Sequence, residues 1–343
     1  MTATAAAAGS ADAWPKGAAL RVLIGKYERP SVGRAAWQIV NSVVPYVLVA
    51  YLAWRSVDIS WWLTAPLAAL AGLLLLRIFI IFHDCGHGSF FKSPKANAIT
   101  GYLAGVLTVT PYHHWRWEHG LHHGTAGNLD RRGTGDIWTM TVREYLEASR
   151  WRRFAYRLSR NPFILFGVAP VFVFILRQRF SNPAAPARER HSVWWTNLGI
   201  FAMALALGLA FGFLPYLILQ ILIVMVAGSA GLWLFYVQHQ FEHAYWERGD
   251  NWDYTAAAMA GSSYYALPAV LRWFTGNIGF HHIHHLSSRI PNYNLKRCHD
   301  ANPVLHPRQP LTLMASWSAA NLRLWDEQMR KLVSFVQLRA PQS

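Results

Sequence analysis

Three short segments of the chain concentrate side chains able to bind a transition metal. His83-Asp84-Cys85-Gly86-His87 sets two histidines four positions apart, while His119-Gly120-Leu121-His122-His123 and His281-His282-Ile283-His284-His285 each place histidines at i, i+3 and i+4. On a helix those spacings fall along one stripe. A lone histidine is ordinarily a satisfied core or interfacial residue, but that explanation would have to hold at once for His83, His87, His119, His122, His123, His281, His284 and His285. Clustered neutral imidazoles suit iron, zinc, copper or nickel, whereas magnesium and calcium ask for carboxylate or carbonyl oxygen. These histidines outnumber the four ligands of a tetrahedral zinc ion, so a pair of metals is expected. Ligand type alone leaves di-iron and di-zinc open. The only cysteines are Cys85 and Cys298, so neither a disulfide framework nor a thiolate metal site is implied.

The elements that must position these groups are apolar. Hydrophobic residues make up 53% of the 343 and charged residues only 14%, a balance that points to a bilayer. Stretches near the ~20 residues of a spanning helix run from Ala35 to Trp54, Trp61 to Phe82, Val193 to Phe213 and Pro215 to Val237. They form two hairpins, turning through Arg55 to Ser60 and through Gly212 to Pro215. The runs Ala96 to Tyr112 and Pro162 to Leu176 are shorter or interrupted and read as interfacial or re-entrant. Met1 to Asp12 lacks the pattern of a cleaved signal peptide and reads as a tail.

Lys and Arg exceed Asp and Glu by 15. These cations flank the apolar runs, so they imply contact with an anionic membrane surface rather than nucleic acid, for which no soluble aromatic platform is present. Arginines before the first span and between the hairpins, Arg143 to Arg190, place both termini and the central segment in the cytoplasm. Every histidine group then lies at one membrane face. That arrangement argues against a metal transporter, which would set histidines along a path through the spans. Helix ends beside apolar spans able to hold an alkyl tail favour redox attack on a C–H bond over hydrolysis.

Taken together, the three boxes resemble those of the membrane fatty acid desaturases, HxxxH, HxxHH and HxxHH, over about Phe79 to Asn302. Gly124 to Tyr145, Tyr236 to Trp246 and Gly276 to Leu295 look like bacterial acyl-lipid desaturases of the Δ12, or omega-6, type. The resemblance implies an all-α integral membrane protein: four transmembrane helices in two hairpins under a cytoplasmic helical cap that carries a di-iron site. It also implies two iron ions, molecular oxygen, an acyl-lipid substrate such as an oleoyl chain, and a separate electron donor such as ferredoxin or cytochrome b5, since no His-Pro-Gly-Gly motif marks a fused donor. A bacterial inner-membrane protein with its site on the cytoplasmic face is expected. Its parts are a cytoplasmic tail over 1–34, a membrane domain over 35–307 and a C-terminal helical segment over 308–343. A hydroxylase or ketolase with the same boxes is the alternative, separated by its product.

In that family a further histidine near the end of the last span completes the ligand set, and here His239 or His243 could supply it. His239 falls where the family's histidine normally stands. Carboxylates can orient ligating imidazoles by accepting their other N–H, and Asp84, Glu118, Asp130, Asp136, Glu242 and Asp253 are candidates, each equally readable as a cap or a solvated acid. Asn277 could hold a metal-bound water or cap the third box's helix. Cys85 projects from another helix face, and His113, His114 and His282 read as groups beside the ligands or on the surface. His191, His299 and His306 read as ordinary structural residues.

Overall fold

The computed structural model describes residues 14–133, 135–307 and 309–339, so the tail expected over Met1 to Asp12 lies outside the described residues. The chain begins with α1 (Gly17–Ile24), then pairs α2 (Val32–Ser56) with α3 (Trp61–His87) as a first hairpin. After α4 (Pro94–Leu107) and α5 (Tyr112–Thr125) come β1 (Met140–Thr141), α6 (Val142–Glu147), α7 (Arg150–Ser159) and the short α8 (Ala169–Val171), which is flanked by π-helical turns. A second hairpin joins α9 (Ala187–Phe211) to α10 (Phe213–His239). The remainder is α11 (Tyr254–Ala260), β2 (Tyr265–Ala266), α12 (Ala269–Phe274), α13 (His281–Leu286), α14 (Asn292–Ala301), β3 (Leu311–Thr312), α15 (Leu313–Ala319), β4 (Leu324–Asp326) and β5 (Lys331–Val333).

Among the described residues, the single helices long and apolar enough to cross a membrane are the expected four, α2, α3, α9 and α10. Each has 25 or 27 residues, and at about 1.5 Å per residue outreaches a hydrocarbon core of about 30 Å. Their ends run past the apolar stretches because caps satisfy the terminal amides and carbonyls. Ser60 Oγ accepts from Trp62 N at 3.2 Å to start α3. At its far end Gly88 has φ 70°, and the amides of Gly88 and Ser89 donate back to Cys85 O and Asp84 O, both at 3.0 Å. Glycine takes that left-handed conformation without penalty, so the stop fixes His87 as the last helical residue.

The centre of the bundle is α3. Its most apolar window is 61% buried, against 17–28% in the other three. An all-round hydrophobic helix belongs in the middle of a fold: Leu76 and Ile80 pack with Leu234, Val237 and Ile283, while Leu75, Ile78 and Phe82 pack with Tyr112, Leu219 and Ile223. Where α3 crosses α10, a Cβ added at Gly72 would stand 2.6 Å from Val226 Cβ, so only glycine permits the approach. A guanidinium sits inside this packing. Arg77 lies over the Trp273 ring at 4.1 Å and donates to Trp273 O and to Asn41 Oδ1, tying α12 and α2 to α3.

The expected interfacial run from Pro162 to Leu176 continues α7 across a 56° bend, and Trp151, Phe154 and Phe163 stand exposed around it. The C-terminal segment is not the helical one expected. It contains α15 but also β3, β4 and β5; β4 pairs in parallel with β1 and antiparallel with β5, while β3 pairs in parallel with β2. Arg160, one of the arginines between the hairpins, is no surface cation. It is buried, donating to Tyr236 OH at 3.2 Å and Gln240 Oε1 at 3.0 Å, and Tyr236 OH in turn donates to Leu322 O at 2.6 Å. These contacts fasten the C-terminal segment to the end of α10.

This arrangement sets the α2–α3 turn at one end of the bundle and α7 at the other. With cysteine placed at exposed Asp58 or Arg152 and both native cysteines buried, a membrane-impermeant maleimide is expected to label the two variants from opposite faces of sealed vesicles. Labelling of both from the same face would contradict the fold.

Candidate metal centre

Four elements bring the histidines to one end of the bundle. His83 and His87 occupy the last turn and a quarter of α3, α5 carries His119, His122 and His123, His239 closes α10, and α13 carries His281, His284 and His285. Because α2 and α9 run antiparallel to their partners, this is the end opposite both hairpin turns.

The imidazoles separate into two groups able to hold a metal ion, each with its ligand atoms within 4.8 Å of one another: His83, His87, His119, His123 and His284, and then His122, His239, His281 and His285. The division follows from helix geometry. Residues four apart share a face, so His83 with His87, His119 with His123, and His281 with His285 each serve one group. Adjacent residues point about 100° apart on a helix, so each terminal His-His pair splits, His122 from His123 and His284 from His285. An HxxHH box thus supplies both groups at once. Where the groups meet, the His123 and His285 rings stack with centroids 4.1 Å apart.

Within the groups the nitrogens face one another. His119 and His123 Nε2 stand 3.2 Å apart, His123 and His284 Nε2 3.1 Å, His122 and His239 Nε2 3.2 Å, and His239 and His281 Nε2 3.0 Å. Two nitrogens bound to one ion at about 2.1 Å lie about 3.0 Å apart at a right angle and about 3.4 Å apart at the tetrahedral angle. The side chains therefore already have the spacing of ligands around a metal. His87 Nε2 and His285 Nε2 are buried with no hydrogen-bond partner, as are the Nδ1 atoms of His123, His281 and His284. Burial, followed by neighbouring imidazoles, pushes His119, His123, His281, His284 and His285 well below the usual histidine range. The neutral form, with its lone pair free, is the form that ligates.

Comparison with known proteins agrees with this geometry. The fatty acid desaturase family model matches residues 60–317. The chain is 47% identical over 312 residues, covering 91% of itself and 89% of the relative, to a protein of Bacillus subtilis named fatty acid desaturase. The chain belongs to the fatty acid desaturase family. More distant desaturase relatives include the sn-1 acyl-lipid omega-3 desaturase (ferredoxin) of Synechocystis, 29% identical over 76% of the chain and 71% of the relative. The endoplasmic-reticulum omega-3 fatty acid desaturase of Nicotiana tabacum is 30% identical over 76% and 70%.

Three of the outward imidazole nitrogens of this desaturase have partners. His83 Nδ1 donates to Asp84 Oδ1 at 3.0 Å, His122 Nδ1 faces the Asp136 carboxylate, and His239 Nδ1 donates to Gly261 O at 3.2 Å. Each turns Nε2 inward. Asp84 is held in turn, since its Oδ2 accepts from Asn292 N at 2.6 Å and Asn292 Nδ2 at 2.8 Å, and Asn292 Oδ1 accepts from Gln38 Nε2 at 2.9 Å. Asn292 and Gln38 carry no sequence signal for this role. Both look like ordinary helix residues until long-range packing joins them. Trp115, which stacks on His119 at 4.3 Å, and Phe235, 5.0 Å from the His122 ring, were likewise hidden among many aromatics.

The other candidate acids serve elsewhere. Glu118 pairs with Arg177, Asp130 with Arg248 and Glu242 with Lys331, while Asp253 caps α11 through Ala256 N and pairs with Lys16. Asn277 neither caps α13 nor faces the groups; with φ 60° it donates to Asn292 O. His243 lies exposed beyond α10 and joins neither group. His114 is buried accepting from Asn182 N at 2.9 Å, and half-buried His113 stands near Arg188. His282 is not a surface residue: it is fully buried, facing Tyr264 and His299, and burial with His299 and His306 pushes it down to about 3. His299 stacks on His306 at 3.9 Å, and His191 is exposed.

Partners that orient a ligating imidazole are worth roughly 10–100-fold in metal affinity. Asp136→Asn and Asp84→Asn are each expected to lower metal retention by about that factor during chelator challenge, while His243→Ala retains wild-type metal. Retention unchanged in both carboxamide variants would refute the orienting role of these carboxylates.

Proposed function

We propose that the chain is an oxygen-dependent acyl-lipid desaturase that introduces a cis double bond into a lipid-borne acyl chain, at the Δ12 position of an oleoyl group. What supports this reading above all is the division of histidines between two facing groups at the end of an apolar bundle. His83, His87, His119, His123 and His284 would hold one iron, and His122, His239, His281 and His285 a second. Imidazole suits iron, and no carboxylate among the described residues joins either group.

The chemistry that bound iron supplies is the oxidising power to take two hydrogens from neighbouring methylenes, with one dioxygen, two external electrons and two protons leaving as two waters. The chain's own part is placement and exclusion. Asp84, Asp136 and Gly261 O fix the imidazole orientations, so ligand positions do not depend on the lipid. Trp115 and Phe235 cover ring faces of the ligands and keep that side dry. Apolar side chains exposed along the spans would guide an acyl chain to the same end of the bundle. Electrons come from a separate protein such as ferredoxin or cytochrome b5, a need in keeping with the word ferredoxin in the name of the Synechocystis relative. The basic α7 segment, with Arg150, Arg152 and Arg157, fits the cytoplasmic face of an inner membrane by the distribution of positive charge.

The omega-3 names of several relatives favour a second regiochemistry, insertion beyond an existing diene. Expression in a host that makes saturated and monounsaturated lipids, followed by chromatography of methyl esters, separates the two. A new diene from oleoyl chains is expected, lost in His123→Ala and in His239→Ala and retained in His191→Ala. A triene formed only when diene is supplied would replace Δ12 with omega-3, and a hydroxylated product would reject desaturation.

A further inference from the structure

A second polar site lies at the same end of the bundle but belongs to other elements. Lys26, Tyr27, Arg29, Ser31 and Arg34, between the end of α1 and the first turn of α2, face Asn294 and Arg297 of α14 across an open pocket of about 430 Å³. That volume is within the roughly 300–1,000 Å³ of small-molecule sites. Four of its seven lining residues are cations and none is an acid. Among the described residues, no carboxylate pairs with any of the four. Glu28, the acid in this run, instead accepts from Ser287 Oγ at 2.7 Å. The frame is rigid: Arg34 Nη1 donates to Asn294 Oδ1 at 2.8 Å, Asn294 Nδ2 donates to Tyr27 O at 2.9 Å, and Ser31 N donates to Tyr293 OH at 3.0 Å.

Two further features give the missing anion a character. Ser31 stands at the N-cap of α2, yet its side chain accepts no capping hydrogen bond, so the positive end of a 25-residue helix opens beside the cations. Further along α2 from the pocket, Trp37, Val40 and Val44, at i, i+3 and i+7, are 66%, 50% and 50% exposed. Cations above an outward apolar stripe on a spanning helix match an amphiphile, with its phosphate in the pocket and its chains along the stripe. A free phosphate would have no use for the stripe. An acidic protein would have to meet it within the bilayer.

We propose that this pocket binds the phosphate of a glycerophospholipid headgroup, with Arg29 and Arg297 as its principal cations. The site is distinct from the histidine groups, although α14 touches both, through Asn294 here and through Asn292 at Asp84. The assignment does not depend on the bound lipid being the one that reacts.

The test uses the full-length protein in detergent, titrated calorimetrically with dihexanoyl-phosphatidylglycerol, with inorganic phosphate and with an acidic ferredoxin. Wild type is expected to bind the lipid well ahead of inorganic phosphate. Arg29→Gln/Arg297→Gln should lose lipid affinity by about tenfold or more, since each basic residue near an anionic lipid adds about fivefold. Arg29→Lys/Arg297→Lys and Arg152→Gln, the latter on α7, should keep it. The substituted arginines are exposed, and unchanged metal content would show that the fold is intact. Lipid affinity unaffected by the double glutamine change overturns the proposal, as does inorganic phosphate binding equal to that of the lipid. Loss of ferredoxin binding alone would make the pocket a protein-docking surface and equally overturn it.

Discussion

Everything else in the structure is arranged around imidazole nitrogens that point at one another from 3.0 to 3.2 Å. Leaving a buried donor or acceptor unsatisfied costs about 1–3 kcal/mol, and this centre holds many such atoms within a few ångströms. A transition metal bound within a group would turn that liability into ligation. The requirement then passes outward: α3 must end at His87, α10 at His239, and α5 and α13 must each turn one box towards both groups. Gly88 and the Asp84–Asn292 contact meet parts of that demand.

The scaffold answers with apolar length rather than polar networks. Because α3 is buried on all sides, its last turn has few ways to move, and the first box inherits that rigidity. The cap built from α5, α11, α13 and α14 lies against it, and the C-terminal segment is fastened through Tyr236 and Arg160 to the end of α10. Histidines able to hold metal at the end of a bundle, under a cap, lie beside helices apolar enough to cross a membrane while remaining largely buried from bulk water.

Much of this was legible in the sequence because it rests on local periodicity. The four spans follow from apolar length, and the boxes from spacing on a helix. Family resemblance favours His239 over His243, and the structure brings it between His122 and His281 whereas His243 faces solvent. What escaped rests on pairings between residues far apart in the chain. The parallel match of Met140 with Leu324, the burial of Arg160 and the link from Gln38 through Asn292 to Asp84 each join distant segments, and neither partner is unusual alone. The C-terminal segment read as helical because strands of three residues are too short to show an alternating pattern. Asp84 and Asp136 are separated only by packing from Glu118, Asp130, Glu242 and Asp253.

The most direct test of the two-group centre is metal analysis of active purified protein combined with X-ray absorption at the iron edge. Active protein is expected to contain about two irons per chain in a nitrogen-rich environment with metal–nitrogen distances near 2.1 Å. A single zinc without iron in active enzyme, or one iron bound mainly by oxygen, would contradict it.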